Sequence, residues 1–127
     1  MRYLGIDYGT KRVGLAVSSE DIAFPHGVIE NNASLFVTLC DVITKEKIGA
    51  IAIGDSRAYG GGENIITKEV EAFTKRLKVE TGLPIESMWE AGSSIEAARY
   101  ADGRPKDDSA AAAIILQRYL DMRTPLR

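Results

Sequence analysis

The stretch YLGIDYGTKRVGLAVSS, residues 3–19, constrains the fold of this chain more than any other segment. Two apolar runs flank a short polar segment in which Gly9 supplies a turn, so a β-hairpin is predicted. The first run ends in Asp7, although aspartate is disfavoured in strands. Asp7 could cap the turn, but a carboxylate that closes a buried strand favours a functional role.

The remainder of the chain alternates predicted helices and strands. A short strand is predicted near Gly27–Ile29, followed by an amphipathic helix from residue 35. The apolar run IGAIAIGD, residues 48–55, predicts a buried strand. A second amphipathic helix ends near Gly82, and LPIESMW, residues 83–89, predicts a weaker strand.

Two further helices are predicted in the last third of the chain. The capping box SSIE, residues 93–96, begins one, and DDSAAAAIILQRYLD, residues 107–121, forms the other, with a first half that should be buried. The whole order predicts an α/β fold with helices on both faces of a five-stranded mixed sheet. The first strand should be central, the first three strands antiparallel and the last two parallel to the first.

Length, cysteine content and hydropathy limit the classes of protein. A chain of 127 residues is predicted to form a single domain over residues 1–127. One cysteine, Cys40, excludes an internal disulfide and fits a reducing, cytoplasmic environment. The longest apolar run, residues 110–116, is too short to span a membrane, so no membrane association is expected.

The net charge of −2 is weak evidence against a nucleic-acid-binding protein, which usually carries a basic face. A site that holds Mg²⁺ supplies its own positive charge, however, and a local basic patch can exist on an acidic chain. The net charge therefore does not exclude a protein that binds nucleic acid.

Two classes of protein place an aspartate on a hairpin of this kind. Sugar-kinase and actin-like ATPases use an Asp-x-Gly-Thr hairpin around a nucleotide phosphate, but they need two related domains and a second phosphate hairpin. RNase H-like nucleases use the aspartate to bind a metal ion. A chain of this length has room for one such domain, which favours the nuclease class.

A metal-dependent nuclease needs further carboxylates near Asp7, because Mg²⁺ seeks oxygen ligands. Glu90 follows the last predicted strand and Asp108 opens the last helix, so all three acids lie at the ends of elements. Three carboxylates within about 4 Å repel by about 4 kcal/mol per pair at an effective dielectric near 20, so such a cluster needs cations. Glu90 could instead be a solvated strand end, and Asp108 could be an ordinary first-turn acid.

Three segments resemble the motifs of the YqgF-type, or RuvX-like, family of Holliday junction resolvases and pre-16S rRNA nucleases. They are GIDYGTKRVGLAVSS, EAGSSIEA and DDSAAAAIILQRYLD, in the family's order and over nearly the whole chain. The resemblance implies an RNase H-like fold, a divalent metal, Mg²⁺ or Mn²⁺, and cleavage of structured nucleic acid. It places Asp7, Glu90 and Asp108 on the catalytic, metal-binding acidic positions, and Lys11 and Arg12 on the basic pair that would contact nucleic acid.

The second motif departs from the family pattern. Trp89 and Ala91 stand where the family usually has aspartate and arginine, and GDSR, residues 54–57, replaces a Gly-x-Pro-x segment. Arg57 could supply the missing guanidinium for phosphate binding. Asp55 in the same segment is either a turn residue or a fourth acid that offsets the loss of the family's aspartate at the position of Trp89.

These observations predict a two-metal-ion endonuclease that processes the 5′ end of pre-16S rRNA in ribosome biogenesis. Resolution of four-way DNA junctions is the alternative within the same class, because nothing in the sequence separates RNA from DNA substrates. Junction cleavage would favour a two-fold homodimer. A catalytically decayed nucleic-acid-binding module is the alternative of a different class, favoured by Ala91 and the GDSR segment.

Overall fold

The computed structural model describes residues 1–55, 65–89 and 108–123. Within these ranges five strands and three helices follow each other in the order predicted for an α/β chain. The strands are β1 (Arg2–Tyr8), β2 (Arg12–Ser19), β3 (Ile22–Glu30), β4 (Ile48–Asp55) and β5 (Ile85–Trp89). The helices are α1 (Leu35–Lys45), α2 (Ile65–Thr81) and α3 (Asp108–Arg123). The predicted helix that begins at SSIE lies outside the described residues.

The sheet has the predicted topology. Its strand order is β3-β2-β1-β4-β5, which places β1 at the centre and β4, the IGAIAIGD run, in the interior. β1 pairs antiparallel with β2, and β2 pairs antiparallel with β3. β4 pairs parallel with β1, and β5 pairs parallel with β4. The mixed pairing predicted from the hairpin and the β-α alternation is therefore confirmed.

β3 is longer than predicted. The sequence indicated a strand only near Gly27–Ile29, and Pro25, which lacks the N–H that an interior strand would use, precedes that stretch. The structure begins the strand at Ile22 and accommodates the proline at an irregularity, where Leu15 pairs with Gly27 but Ala16 pairs with Pro25. β3 is an edge strand, and proline is tolerated at edges and bulges.

The two faces of β1 contact different helices. Leu4 and Ile6 belong to a buried cluster that includes Leu39 of α1 and Leu77 of α2. Alternate residues of a strand point to opposite faces, so Gly5 and Asp7 face the other way, towards α3. Helices thus cover both faces of the sheet, as predicted, and Asp7 lies on the α3 side.

Helix α3 packs closely on the sheet. Its first half is buried as the sequence predicted, with Ala112, Ile115 and Leu116 fully inaccessible. A Cβ on Gly5 would lie 2.7 Å from both the Ala112 carbonyl oxygen and the Leu116 Cβ. Only glycine allows this approach of the helix to the strand.

We expect Gly5→Ala to lower the free energy of unfolding by about 1–3 kcal/mol, because the new methyl group collides with helix backbone. Chemical denaturation monitored by circular dichroism measures this change. Gly49→Ala in β4 is the matched control, since its Cβ would meet only the side chain of the exposed terminal residue Met1, which can move. Equal stability of the two variants would contradict the close packing of α3.

None of the helices in the described residues has the length and apolar character needed to cross a membrane.

Candidate metal and nucleic-acid site

Asp7 is a buried carboxylate near the carboxyl end of the central strand. Its exposed fraction is 3%, and it pairs across the hairpin with Gly14. Burial of an ionised carboxylate is costly unless hydrogen bonds or cations compensate it. A conformational role in the turn does not require burial, and a functional role for Asp7 stays a prediction.

Helix α3 runs antiparallel to β1 on the face that carries Asp7. Tyr119, near the end of the helix, contacts Tyr3 at the start of the strand, with ring centroids 5.6 Å apart. Ala112 and Leu116 lie over Gly5, in the middle of the strand. Moving from the start of β1 towards its end therefore means moving from the end of α3 towards its beginning.

This antiparallel arrangement brings the first turn of α3 to the level of Asp7. Two residues of strand span about 7 Å, which corresponds to four or five residues of helix. Counting back from the Ala112–Leu116 level reaches Asp108 and Ser109. Ser109 is a buried polar residue, 5% exposed. The backbone of Asp108 therefore lies at the same end of the sheet as Asp7, as a shared site requires.

The carboxyl ends of three parallel strands meet at this edge. Ile6 of β1 pairs with Ile53 of β4, and the last residues of β4 and β5, Asp55 and Trp89, pair with each other. Open α/β sheets bind their ligands at such an edge. The backbone of Asp55 thus lies at this edge of the sheet, two residues beyond Ile53.

Two predicted site residues lie outside the described residues. They are Glu90, which follows β5 directly, and Arg57, two residues beyond the end of β4. The described ranges hold no group of three or more His, Cys, Asp or Glu residues placed to bind a metal ion. The predicted trio includes Glu90 and the side chain of Asp108, so its convergence stays a prediction.

The tip of the first hairpin displays the predicted basic pair. Lys11 and Arg12 are both exposed. Asn31 fixes the turn from the end of β3: its backbone N–H donates to the Lys11 carbonyl at 2.9 Å, and its side-chain amide donates to the Gly9 carbonyl at 2.8 Å. A Cβ on Gly9 would lie 2.5 Å from the Arg12 carbonyl oxygen, so the turn needs glycine. The two cations thus stand on a braced turn directly after β1.

Sequence reasoning missed two residues of this region. Ser109 gives only a weak signal in the sequence, a hydroxyl at the start of an alanine-rich helix, because serine is common in first turns. Asn31 gives no local signal, because its contacts with the hairpin turn join residues about twenty positions apart.

Solved structures share this fold. The RuvC of T. thermophilus, solved in complex with a Holliday junction substrate, superposes with a TM-score of 0.66 at 18% identity, over 97% of this chain and 95% of that one. The fowlpox virus resolvase, solved with Holliday junction DNA, gives a TM-score of 0.61 at 12% identity, over 98% of this chain and 100% of that one. These neighbours confirm the predicted RNase H-like fold.

Sequence relatives cover the chain almost completely. A protein of Maridesulfovibrio salexigens named "Putative pre-16S rRNA nuclease" is 39% identical over an alignment that covers 94% of this chain and 98% of the relative. One of Nitratidesulfovibrio vulgaris with the same name is 38% identical over 98% of this chain and 99% of its own. The family model described as "RuvX: Holliday junction resolvase" matches residues 1–122. The chain therefore belongs to the RuvX family.

Proposed function

We propose that this chain is a single-domain, cytoplasmic endonuclease that cleaves phosphodiester bonds at the 5′ end of pre-16S rRNA. The relatives' shared name supports the substrate. The observation that carries the proposal is the burial of Asp7. This residue is 3% exposed and lies on the face of β1 that packs against α3. Family membership and this carboxylate together favour hydrolysis over simple binding.

The residues at the edge of the sheet fit a divalent cation. Asp7 supplies a carboxylate oxygen, and Glu90 and Asp108 would complete an all-oxygen set of the kind that Mg²⁺ and Mn²⁺ prefer. When bound, two such ions would activate a water molecule and stabilise the charge on the leaving oxygen. The start of α3 would favour negative charge at this end of the sheet, because a helix N-terminus carries a partial positive charge.

The exposed cations around this edge would position the substrate. Lys11 and Arg12 on the braced hairpin turn would contact phosphates on one side of the scissile bond. Arg57, beyond the end of β4, would replace the guanidinium that the family has at the position of Ala91.

The family model's description, Holliday junction resolvase, favours a second candidate function, the cleavage of four-way DNA junctions. A junction has two-fold symmetry, so paired cleavage needs a homodimer. The edge strand β3 exposes Ile22 and Phe24 by 56% and 51%, and these side chains offer an apolar surface for a second copy. A dimer by sedimentation would support this candidate, and a monomer at micromolar concentration would count against it.

The two functions are separated by one substrate comparison. The purified protein is incubated with an end-labelled pre-16S rRNA precursor and with a labelled four-way junction, each with Mn²⁺, Mg²⁺ or EDTA. We expect cleavage at the 5′ end of the 16S sequence in either metal and none in EDTA. Junction cleavage alone would select the resolvase. Binding without cleavage of either substrate would select the decayed, non-catalytic module.

A further inference from the structure

A groove of about 350 Å³ opens on the face of the sheet opposite Asp7. It lies between the end of β1, the start of α1 and the first half of α2. Its walls include three aromatic residues, Tyr8, Phe36 and Phe73, and two charged ones, Glu69 and Arg76. The predicted catalytic machinery uses none of these five residues.

The three aromatic residues contact one another along the groove. Phe73 is buried, and its ring centroid lies 4.8 Å from that of Tyr8 and 5.5 Å from that of Phe36. Phe36 is only partly buried, and the guanidinium of Arg76 lies over its ring at 4.0 Å. Planar aromatic rings with an adjacent guanidinium are the surface on which unpaired nucleobases stack.

A carboxylate stands at the edge of this surface. The Tyr8 hydroxyl donates a hydrogen bond to Glu69 Oε2 at 3.3 Å. Burial raises the pKa of Tyr8 most, the Asn31 side chain lowers it, and Glu69 raises it further, so the phenol stays protonated at neutral pH. An ionised carboxylate only accepts hydrogen bonds, and Tyr8 occupies one of its roughly four acceptor positions. Glu69 therefore favours a ligand whose edge donates hydrogen bonds to the carboxylate.

We propose that this groove binds one unpaired guanine base of the nucleic-acid substrate, an inference that rests on the proposed nuclease function. Guanine presents two adjacent N–H donors on its Watson–Crick edge, which a carboxylate can accept together. On the same edge, adenine and cytosine each carry a single donor beside a ring nitrogen that accepts hydrogen bonds, and the carboxylate repels this nitrogen. Uracil offers only one donor. The Arg76 guanidinium, which lies over the Phe36 ring, holds the base by stacking, and Glu69 identifies it.

The position of the groove ties it to the cleavage site. Tyr8 directly follows Asp7, and consecutive Cα atoms are about 3.8 Å apart, but the two side chains point to opposite faces of β1. The braced turn with Lys11 and Arg12 follows immediately, and Asn31, which holds that turn, also lines the groove. A single strand that crosses this end of the sheet would place its phosphate at Asp7 and a neighbouring base in the groove.

Binding without cleavage tests the inference. Fluorescence anisotropy in EDTA compares the labelled RNA heptamer UUUGUUU with UUUUUUU, UUUAUUU and UUUCUUU. We expect the guanine heptamer to bind at least fivefold more tightly than the others, a factor of the size that one additional hydrogen bond contributes. Phe36→Ala should weaken binding of the guanine heptamer, and Glu69→Gln should abolish the preference for guanine while all-uridine binding is retained.

Matched controls lie on the same two helices. Glu71→Gln replaces an exposed acid of α2, and Val37→Ala replaces an apolar residue of α1 that is 69% exposed. Neither control should change the heptamer affinities. Equal affinity for all four heptamers, no binding at millimolar concentration, or an unchanged guanine preference in Glu69→Gln would overturn the inference. Cleavage of the precursor is measured separately, so loss of nuclease function and loss of guanine selection remain distinguishable.

Discussion

Replacing Asp7 with asparagine is expected to reduce cleavage of the pre-16S rRNA precursor by a factor on the order of 100 or more. The substitution keeps the size of the side chain but replaces a carboxylate oxygen with an amide nitrogen near the end of β1, where Asp7 is 3% exposed. Losing one preorganised charged group at a reacting phosphate typically costs a factor of about 10²–10³ in rate. Initial rates of cleavage of the end-labelled precursor in Mn²⁺ measure the effect.

The control for this experiment is Asp41→Asn. Asp41 is an exposed acid of α1, so its replacement makes the same chemical change far from the proposed site. This variant should cleave at the wild-type rate, and thermal unfolding should show that both variants remain folded. A folded Asp7→Asn protein with wild-type activity would rule out catalysis at this carboxylate.

Leu116→Ala is expected to lower the free energy of unfolding by about 2–5 kcal/mol. Leu116 is fully buried, and its Cβ lies against Gly5 in the interface between α3 and β1. Domains of this size are stable by about 5–15 kcal/mol, so the variant would lose a large part of its stability. The same helix carries Asp108, so a loosened interface should also reduce cleavage below the temperature of unfolding.

Met122→Ala is the matched control for the helix interface. Met122 lies on α3 but is 70% exposed, so its truncation leaves no cavity. Urea denaturation of the two variants should differ by several kcal/mol with similar m-values. If Leu116→Ala were as stable as Met122→Ala, the packing of α3 on the central strand would be wrong.

The sequence predicted the parts of the fold that local pattern controls. The hairpin followed from two apolar runs around Gly9, and the central β4 followed from an apolar run without helical periodicity. The antiparallel and parallel pairings then followed from β-α alternation, and the strand order confirms them. The burial of Asp7 agrees with its placement at the end of an otherwise apolar strand.

Features that depend on contacts between distant residues escaped sequence reasoning. The sequence pattern does not predict the first half of β3, which contains Pro25. Only the pairing with β2 shows that the proline lies at an irregularity in an edge strand. The approach of α3 to Gly5 joins residues more than 100 positions apart. The aromatic groove likewise joins Tyr8, Phe36 and Phe73 from three elements, and each of them alone is an ordinary core residue.

Calorimetric titration of Mn²⁺ into the wild-type protein, Asp7→Asn and Asp41→Asn tests most directly the claim that Asp7 holds a divalent cation. Carboxylate ligands carry the affinity of such a site, so we predict saturable binding to the wild type and to Asp41→Asn with equal affinity. Asp7→Asn should bind at least tenfold more weakly. Binding to Asp7→Asn that matches the wild type, in a folded protein, would contradict the account.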